Sequence, residues 1–330
     1  MKDSADIRKV NLYKIRNILW LGDWKTKQEI SRETDLSVAT CNTLLNELAA
    51  SGELISEKTR IHNVGPGALR YKINENFESI LCVWFDRHVK EDILCIRIVS
   101  PCGNKIDSVD KTFKHLTSDL LISEIGEFIE KYDNISAIMV GIPGVAENGV
   151  IEHCDVDTLD DFKLIDEFSE RFGKMVYMEN DMHFKVFGYY QQNKDSKDVV
   201  TLGNYPTGVM PGSATVYNGV VIKGHNQFAG LTGFLPYGMS ISEQIEVLKS
   251  PDTCRDIVSK SIISLIAIQN PSVIVLTGDL LSEDSIEWII SDCKEYIPEE
   301  YMPEIIYQDN MDDYYLLGMY RKALELKSII

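Results

Sequence analysis

Asn180 and Asp181 open an apparent helix that runs from Met182 to Gln191. A carboxylate there is kept ionised by the helix dipole and the free amides of the first turn. An ionised carboxylate at a helix start makes Asp181 a candidate functional residue. The plain alternative is that the pair caps its helix, since Asx residues commonly do so. His183, one turn on, has no evident partner in the sequence and reads as structural or solvent-facing.

A second set of polar side chains lies far upstream. If the segment from Ser37 is a helix laid in a DNA major groove, Ser37, Val38, Thr40, Asn42 and Thr43 face the bases. Asn42 is the residue type that can bind adenine with two hydrogen bonds. Lys25, Lys27, Arg60 and Arg70, with Arg32 and His62 nearby, are the cations placed to meet phosphates. No Lys or Arg falls between Ser37 and Gly52, however, and winged helices also serve purely as dimerisation modules.

These side chains need elements to hold them. Val10, Leu12, Ile15, Ile18, Leu19 and Leu21 form one helical stripe within Lys9 to Leu21. Thr26 and Glu29 have the spacing of a capping box, which predicts a short helix to Thr34 with Ile30 inward. Asp35-Leu36 makes the turn. Ser37 then caps a third helix to Ala50, with Cys41, Leu44, Leu45 and Leu48 at core spacing. Two strand-like pieces follow, Glu53 to Ser56 and Leu69 to Ile73, joined by a polar loop. Helix, capped helix, turn, capped helix and hairpin is the order of a winged helix-turn-helix.

From Asn74 the pattern changes to runs of strands: Ile80–Phe85, Ile93–Val99 and a polar one near Lys105–Lys111. A helix from Ser118 to Lys131 leads into the buried-strand signature Ile135–Gly141. A second round follows, with strand Val199–Leu202, a hairpin at Asn218-Gly219, helix Asp252–Ile268 and strand Ser272–Gly278. The repetition predicts a duplicated α/β fold with a cleft between its halves. The expected domains are a winged helix-turn-helix over 1–74, a first lobe over 75–185 joined by the C-terminal helix 311–330, and a second lobe over 186–310.

Composition narrows the field. The chain has 330 residues, 44% hydrophobic and 25% charged, so it carries material for two or three domains and is no disordered or fibrous protein. No uninterrupted apolar run could cross a membrane, and the N-terminal residues lack the core of a signal peptide. Seven scattered cysteines without a C-x-x-C pair argue against disulfides and a cysteine-built zinc site; a reducing cytoplasm is expected. The net charge of −18 opposes nucleic-acid binding by the chain as a whole. It is unevenly spread: residues 1–72 hold 12 basic and 9 acidic side chains, the rest 21 and 42. Any polyanion contact therefore belongs to the head.

Leu36 to Leu48, Leu-Ser-Val-Ala-Thr-Cys-Asn-Thr-Leu-Leu-Asn-Glu-Leu, resembles the recognition-helix region of repressors of the ROK (repressor, ORF, kinase) family. The body is similar to that family's actin/hexokinase-like sugar-kinase fold. Gly141-Ile142-Pro143-Gly144, Glu179-Asn180-Asp181, Asn218-Gly219, Phe228-Ala229-Gly230 and Asn270–Gly278 match family motifs in family order. The resemblance implies that Gly144, Asn180, Asp181, Leu231 and Phe234 line an effector pocket.

It also marks departures. Family kinases carry a D-x-G-G-T phosphate loop; here the stretch Phe85 to Glu91 contains no glycine. The second phosphate loop reads Gly208-Val209-Met210-Pro211-Gly212-Ser213-Ala214, where methionine adds bulk and proline lacks an amide. The family's glutamate and histidine of A-G-E-x-G-H are Leu231 and Phe234, and its zinc cysteines have no counterpart. The expectation is a regulator with no catalytic residues, no metal and no cofactor. It would bind double-stranded operator DNA as a homodimer or higher homo-oligomer and sense a carbohydrate or other small effector, away from any membrane. The alternatives are an ATP-dependent carbohydrate kinase and a ligand-binding protein without DNA activity.

Overall fold

The head is built by caps and a small core. In the computed structural model, residues 4–59, 68–88, 91–194 and 197–329 are described. The head comprises α1 (Ser4–Leu19), β1 (Lys25–Thr26), α2 (Lys27–Thr34), α3 (Val38–Ala50), β2 (Leu54–Thr59) and β3 (Ala68–Ile73). The capping box of Thr26 and Glu29 forms in both directions and starts α2. Those hydrogen bonds from the Thr26 amide and hydroxyl lower the Glu29 pKa. Asp35 adopts the left-handed conformation and closes the tight turn, after which the Ser37 hydroxyl accepts the Thr40 amide and starts α3. Ile15, Leu19, Ile30 and Leu45 are completely buried, joined by Cys41, Leu44 and Leu48. The predicted α1 stripe was too broad: Val10 is exposed, and Leu21 lies past the helix end in solvent. The β1–β3–β2 sheet adds a short strand that the sequence pattern did not reveal.

The body follows as β4 (Ser79–His88), β5 (Glu91–Val99), β6 (Lys105–Phe113), α4 (Ser118–Lys131), β7 (Ile135–Ile142), β8 (Gly144–Glu147), β9 (Val150–Cys154), α5 (Leu164–Phe172) and β10 (Met175–Asn180). Then come α6 (Asp181–Asn193), β11 (Val199–Asn204), β12 (Gly212–Tyr217), β13 (Val220–Val221), α7 (Ile241–Val247) and α8 (Arg255–Gln269). The chain ends with β14 (Val273–Thr277), α9 (Ser285–Lys294), β15 (Glu304–Tyr307) and α10 (Asp312–Ile329).

Two five-stranded sheets repeat one topology. Their orders are β10-β7-β4-β5-β6 and β15-β14-β11-β12-β13. Each is a three-strand meander whose first strand is flanked by two later strands, so the duplicated α/β architecture is present. In the second sheet the meander is antiparallel, while β11, β14 and β15 run parallel behind connecting helices. The continuous apolar run Val273 to Leu276 is buried on both faces, as a central parallel strand requires.

Two compact units partition the chain. One holds Met1–Val140, Val156–Met178 and Tyr320–Ile330, and therefore includes the head and most of the first sheet. The other holds Gly141–Asp155 and Glu179–Met319. Among the described residues no helix is long and apolar enough to cross a membrane.

Candidate functional site

On the head, α3 keeps Cys41, Leu44, Leu45 and Leu48 inward, which turns Val38, Asn42 and Thr43 outward into solvent. Part of that face is occupied by local bonds. Ser37 and Thr40 share a hydroxyl hydrogen bond of 2.9 Å, and the Thr43 hydroxyl donates to the Ala39 carbonyl. The Lys27 ammonium donates to Asn42 Oδ1 and lies 5.8 Å from the Tyr71 ring centre. A phosphate candidate thus touches the base-reading candidate, which nothing in the sequence pattern announced. Lys25 pairs with Glu33, and Arg70 pairs with Glu57 while lying over the Trp24 ring. Such exposed pairs contribute little in water and can be exchanged for phosphate contacts at small cost. Arg60 and His62 fall outside the described residues.

In the second unit, Asn180 is the N-cap of α6. Its Oδ1 accepts from the Met182 amide at 2.9 Å and the His183 amide at 3.4 Å, and its Nδ2 donates to the Gly144 carbonyl at 2.8 Å. Both acceptor positions and one of its two amide hydrogens are therefore spent on positioning. Gly144 is needed for the close approach of β8 to β9, because a Cβ there would run into the His153 carbonyl. The capping alternative holds for Asn180.

Asp181 is held differently. Its Oδ2 lies 2.6 Å from the Lys185 ammonium, one turn along α6, and only about a sixth of its side chain is exposed. Lys185 in turn sits 5.1 Å above the Tyr315 ring. His183 is buried rather than solvent-facing, and its Nδ1 lies 2.9 Å from Glu179 Oε1. Glu179 also pairs with Lys223. Burial raises the Glu179 pKa, but the hydrogen bond and charge of His183 and the charge of Lys223 outweigh it, and the group titrates at about 2. Glu179, His183, Lys185 and Lys223 were not among the expected site residues. The i, i+4 spacings of Glu179–His183 and Asp181–Lys185 were the available signal.

The Lys223 pair ties the loop carrying Leu231 and Phe234 to the end of β10. Leu231 and Phe234 themselves are largely exposed, and the Phe234 ring packs 5.3 Å from Phe228. The structure thus brings Gly144, Asn180 and Asp181 together and places the two apolar replacements on the surface of the adjoining loop.

Both phosphate loops are altered in shape as well as in sequence. At the first, β4 and β5 stay paired out to His88 and Glu91; residues 89 and 90 lie outside the described residues. At the second, several backbone amides already have partners. Thr207 donates to Asp279 Oδ1 at 2.7 Å, Gly208 to the Leu248 carbonyl and Val209 to the Pro206 carbonyl. Pro211 offers none, and its carbonyl accepts from Gly233 and Thr232. A phosphate cradle needs unpaired amides, and here a carboxylate occupies one of them. Asp279 directly follows the Asn270–Gly278 segment and was not among the expected site residues. Among the described residues no group of three or more His, Cys, Asp or Glu side chains is arranged to hold a metal ion.

Residues 98–254 match the family model described as "ROK family". No curated protein matches the chain in sequence. Among solved structures, one described as a ROK family transcriptional regulator and homologue of the E. coli MLC protein superposes with a TM-score of 0.70 at 16% identity, covering 98% of this chain and 99% of that one. The ROK hexokinase from Thermus thermophilus gives 0.59 at 15%, covering 76% and 99%. A ROK family protein from Streptococcus pneumoniae in complex with sucrose gives 0.59 at 15%, covering 75% and 99%. At such identities the likeness establishes the fold. Residues 98–254 of the chain thus match the ROK family, and its fold is shared over nearly the whole length with a structure of that family.

Proposed function

We propose that this chain is a transcriptional regulator of the ROK type. Its winged head binds operator DNA, its body assembles into a homodimer or higher oligomer, and the start of α6 senses a small carbohydrate-like effector. It works in the cytoplasm, with the head (1–74) and the two lobes (75–185 with 311–330, and 186–310) as its functional parts. The observation that carries the reading is the solvent-facing N-terminal half of α3, held by Ser37 behind a capped α2. That is the geometry by which a recognition helix enters a major groove. A dimer would supply the second half-site that one helix needs for useful specificity.

The protein does not phosphorylate sugars in this reading. Phosphoryl transfer depends on positioning and charge stabilisation of the transferring group; the first loop has no glycine and several amides of the second are already bonded. Asp181 favours the carbohydrate-kinase reading, but its carboxylate is already engaged by Lys185 at 2.6 Å. An ATP-turnover assay with a panel of hexoses tests this point: no hexose-dependent turnover is expected. Selection of binding sites from random duplex DNA tests the regulator itself.

A further inference from the structure

We propose that the cavity lined by α1, α3, the lead into β4 and the last turns of α10 binds a small free primary amine in its ammonium form. The ligand takes Glu78 over from Lys327. The cavity measures about 320 Å³, at the small end of ligand pockets, and all its lining residues lie within the first compact unit.

Its interior charges form two unequal pairs. Arg16 of α1 grips Glu53 with two bonds, at 2.6 and 2.8 Å, the fork geometry that makes such a pair rigid. Lys327 of α10 meets Glu78 with one ammonium on a four-carbon stem. The buried Glu78 Oε2 lies against that ammonium without an aligned hydrogen bond. Only 13% of either carboxylate side chain is exposed, so each needs a cation beside it. Glu47 of α3 also lines the cavity, but it pairs with Arg8 in solvent. Trp20, Leu48 and Leu324, all buried, supply apolar walls.

This lining selects a cation. An anion would have to approach three carboxylates and part Arg16 from Glu53. An alkylammonium satisfies Glu78 and lays its carbons on the apolar walls. Lys327 is the cation that gives way. Burial lowers its pKa to about 8, Glu53 opposing and Arg16 adding to the drop. Arg16, Glu47, Glu53 and Glu78 are the charged side chains that line the cavity with it. Once Lys327 is neutral, the interior pairs hold two carboxylates against one guanidinium, and the incoming ammonium restores the balance. Binding therefore expels a proton: the ligand stays an ammonium, the Lys327 ammonium becomes an amine, and its proton passes to solvent.

The test is titration calorimetry of the full chain with n-butylamine at pH 7 and pH 9, with two buffers of different ionisation enthalpy at pH 7. The amine keeps its charge at both. With a pKa of about 8, about a tenth of Lys327 is neutral at pH 7 and about nine-tenths at pH 9. Affinity should therefore rise about tenfold, and about one proton should leave per amine bound at pH 7. n-Butanol and n-butyrate, of similar body but without positive charge, should not bind. Lys327→Met should bind the amine as tightly at pH 7 as the parent does at pH 9, and Glu78→Gln should not bind it; circular dichroism checks that both fold. No amine binding by the parent, equal affinity at the two pH values, or equal binding of butanol or butyrate would overturn the site. These parent titrations decide the matter even where a variant does not fold.

Discussion

The Asp181 carboxylate lies 2.6 Å from the Lys185 ammonium and is largely covered. A residue that the family resemblance marks as a candidate base is thereby engaged as half of an ion pair. Removing the lysine by Lys185→Met should leave Asp181 partly buried without its counter-charge and destabilise the second unit by about 1–3 kcal/mol. Thermal unfolding measures the loss. ATP turnover should be absent in this variant as in the parent, since removing Lys185 adds no glycine to the stretch Phe85–Glu91.

Lys27 and Asn42 form one unit of the head. Asn42→Ala should cost about 1–3 kcal/mol at the preferred site and flatten the preference at one base pair. Lys27→Ala should weaken all duplexes alike and reduce the slope of log affinity against log salt by about 1. Because the side chains touch, the double variant should lose less or more than the sum, with a coupling of about 0.5 kcal/mol or greater. Fluorescence anisotropy at several salt concentrations resolves these terms.

Glu179 makes stability depend on acid. Its pKa falls from 4.5 to about 2 in the folded chain, so the folded state binds fewer protons than the unfolded state across that interval. The contribution is complete above about pH 4.5 and is lost as pH falls toward 2. The Glu179→Gln variant lacks this term. Its melting temperature should fall less steeply than that of the parent between pH 5 and 3, as measured by scanning calorimetry.

The capping box of α2 supports the turn that aims α3. Thr26→Ala removes the hydroxyl that accepts the Glu29 amide and donates to the Glu29 carboxylate, and should cost about 1 kcal/mol. Chemical denaturation measures it. Thr26→Ser, which keeps the hydroxyl, should recover most of the loss.

Much of this fold was legible because its signals are local. The capping residues Thr26 and Ser37, the buried run 273–276 and the α4 span follow from spacing and chain chemistry alone. What escaped depends on partners distant in sequence. The strand pair β8–β9, the edge strand β15 and helix α9 have weak intrinsic patterns and are fixed by neighbours. The same holds at the sites. Gly144, Asn180 and Asp181 were nameable from the chain, whereas Lys223, 44 residues from its partner Glu179, was not. Asp279 closes a loop 72 residues away by accepting the Thr207 amide, which only the fold reveals. His183 looked partnerless because its i−4 neighbour was read as part of a motif rather than as a helix-start contact.

The account rests most heavily on α3 reading DNA. Selection of binding sites by the full chain from a random duplex library, followed by affinity measurement across a salt series, addresses this directly. The account predicts an enriched pseudo-palindrome with half-sites about one helical turn apart and an affinity that falls steeply with salt. Recovery of no enriched sequence, with the chain folded and the library amplified normally, would contradict it.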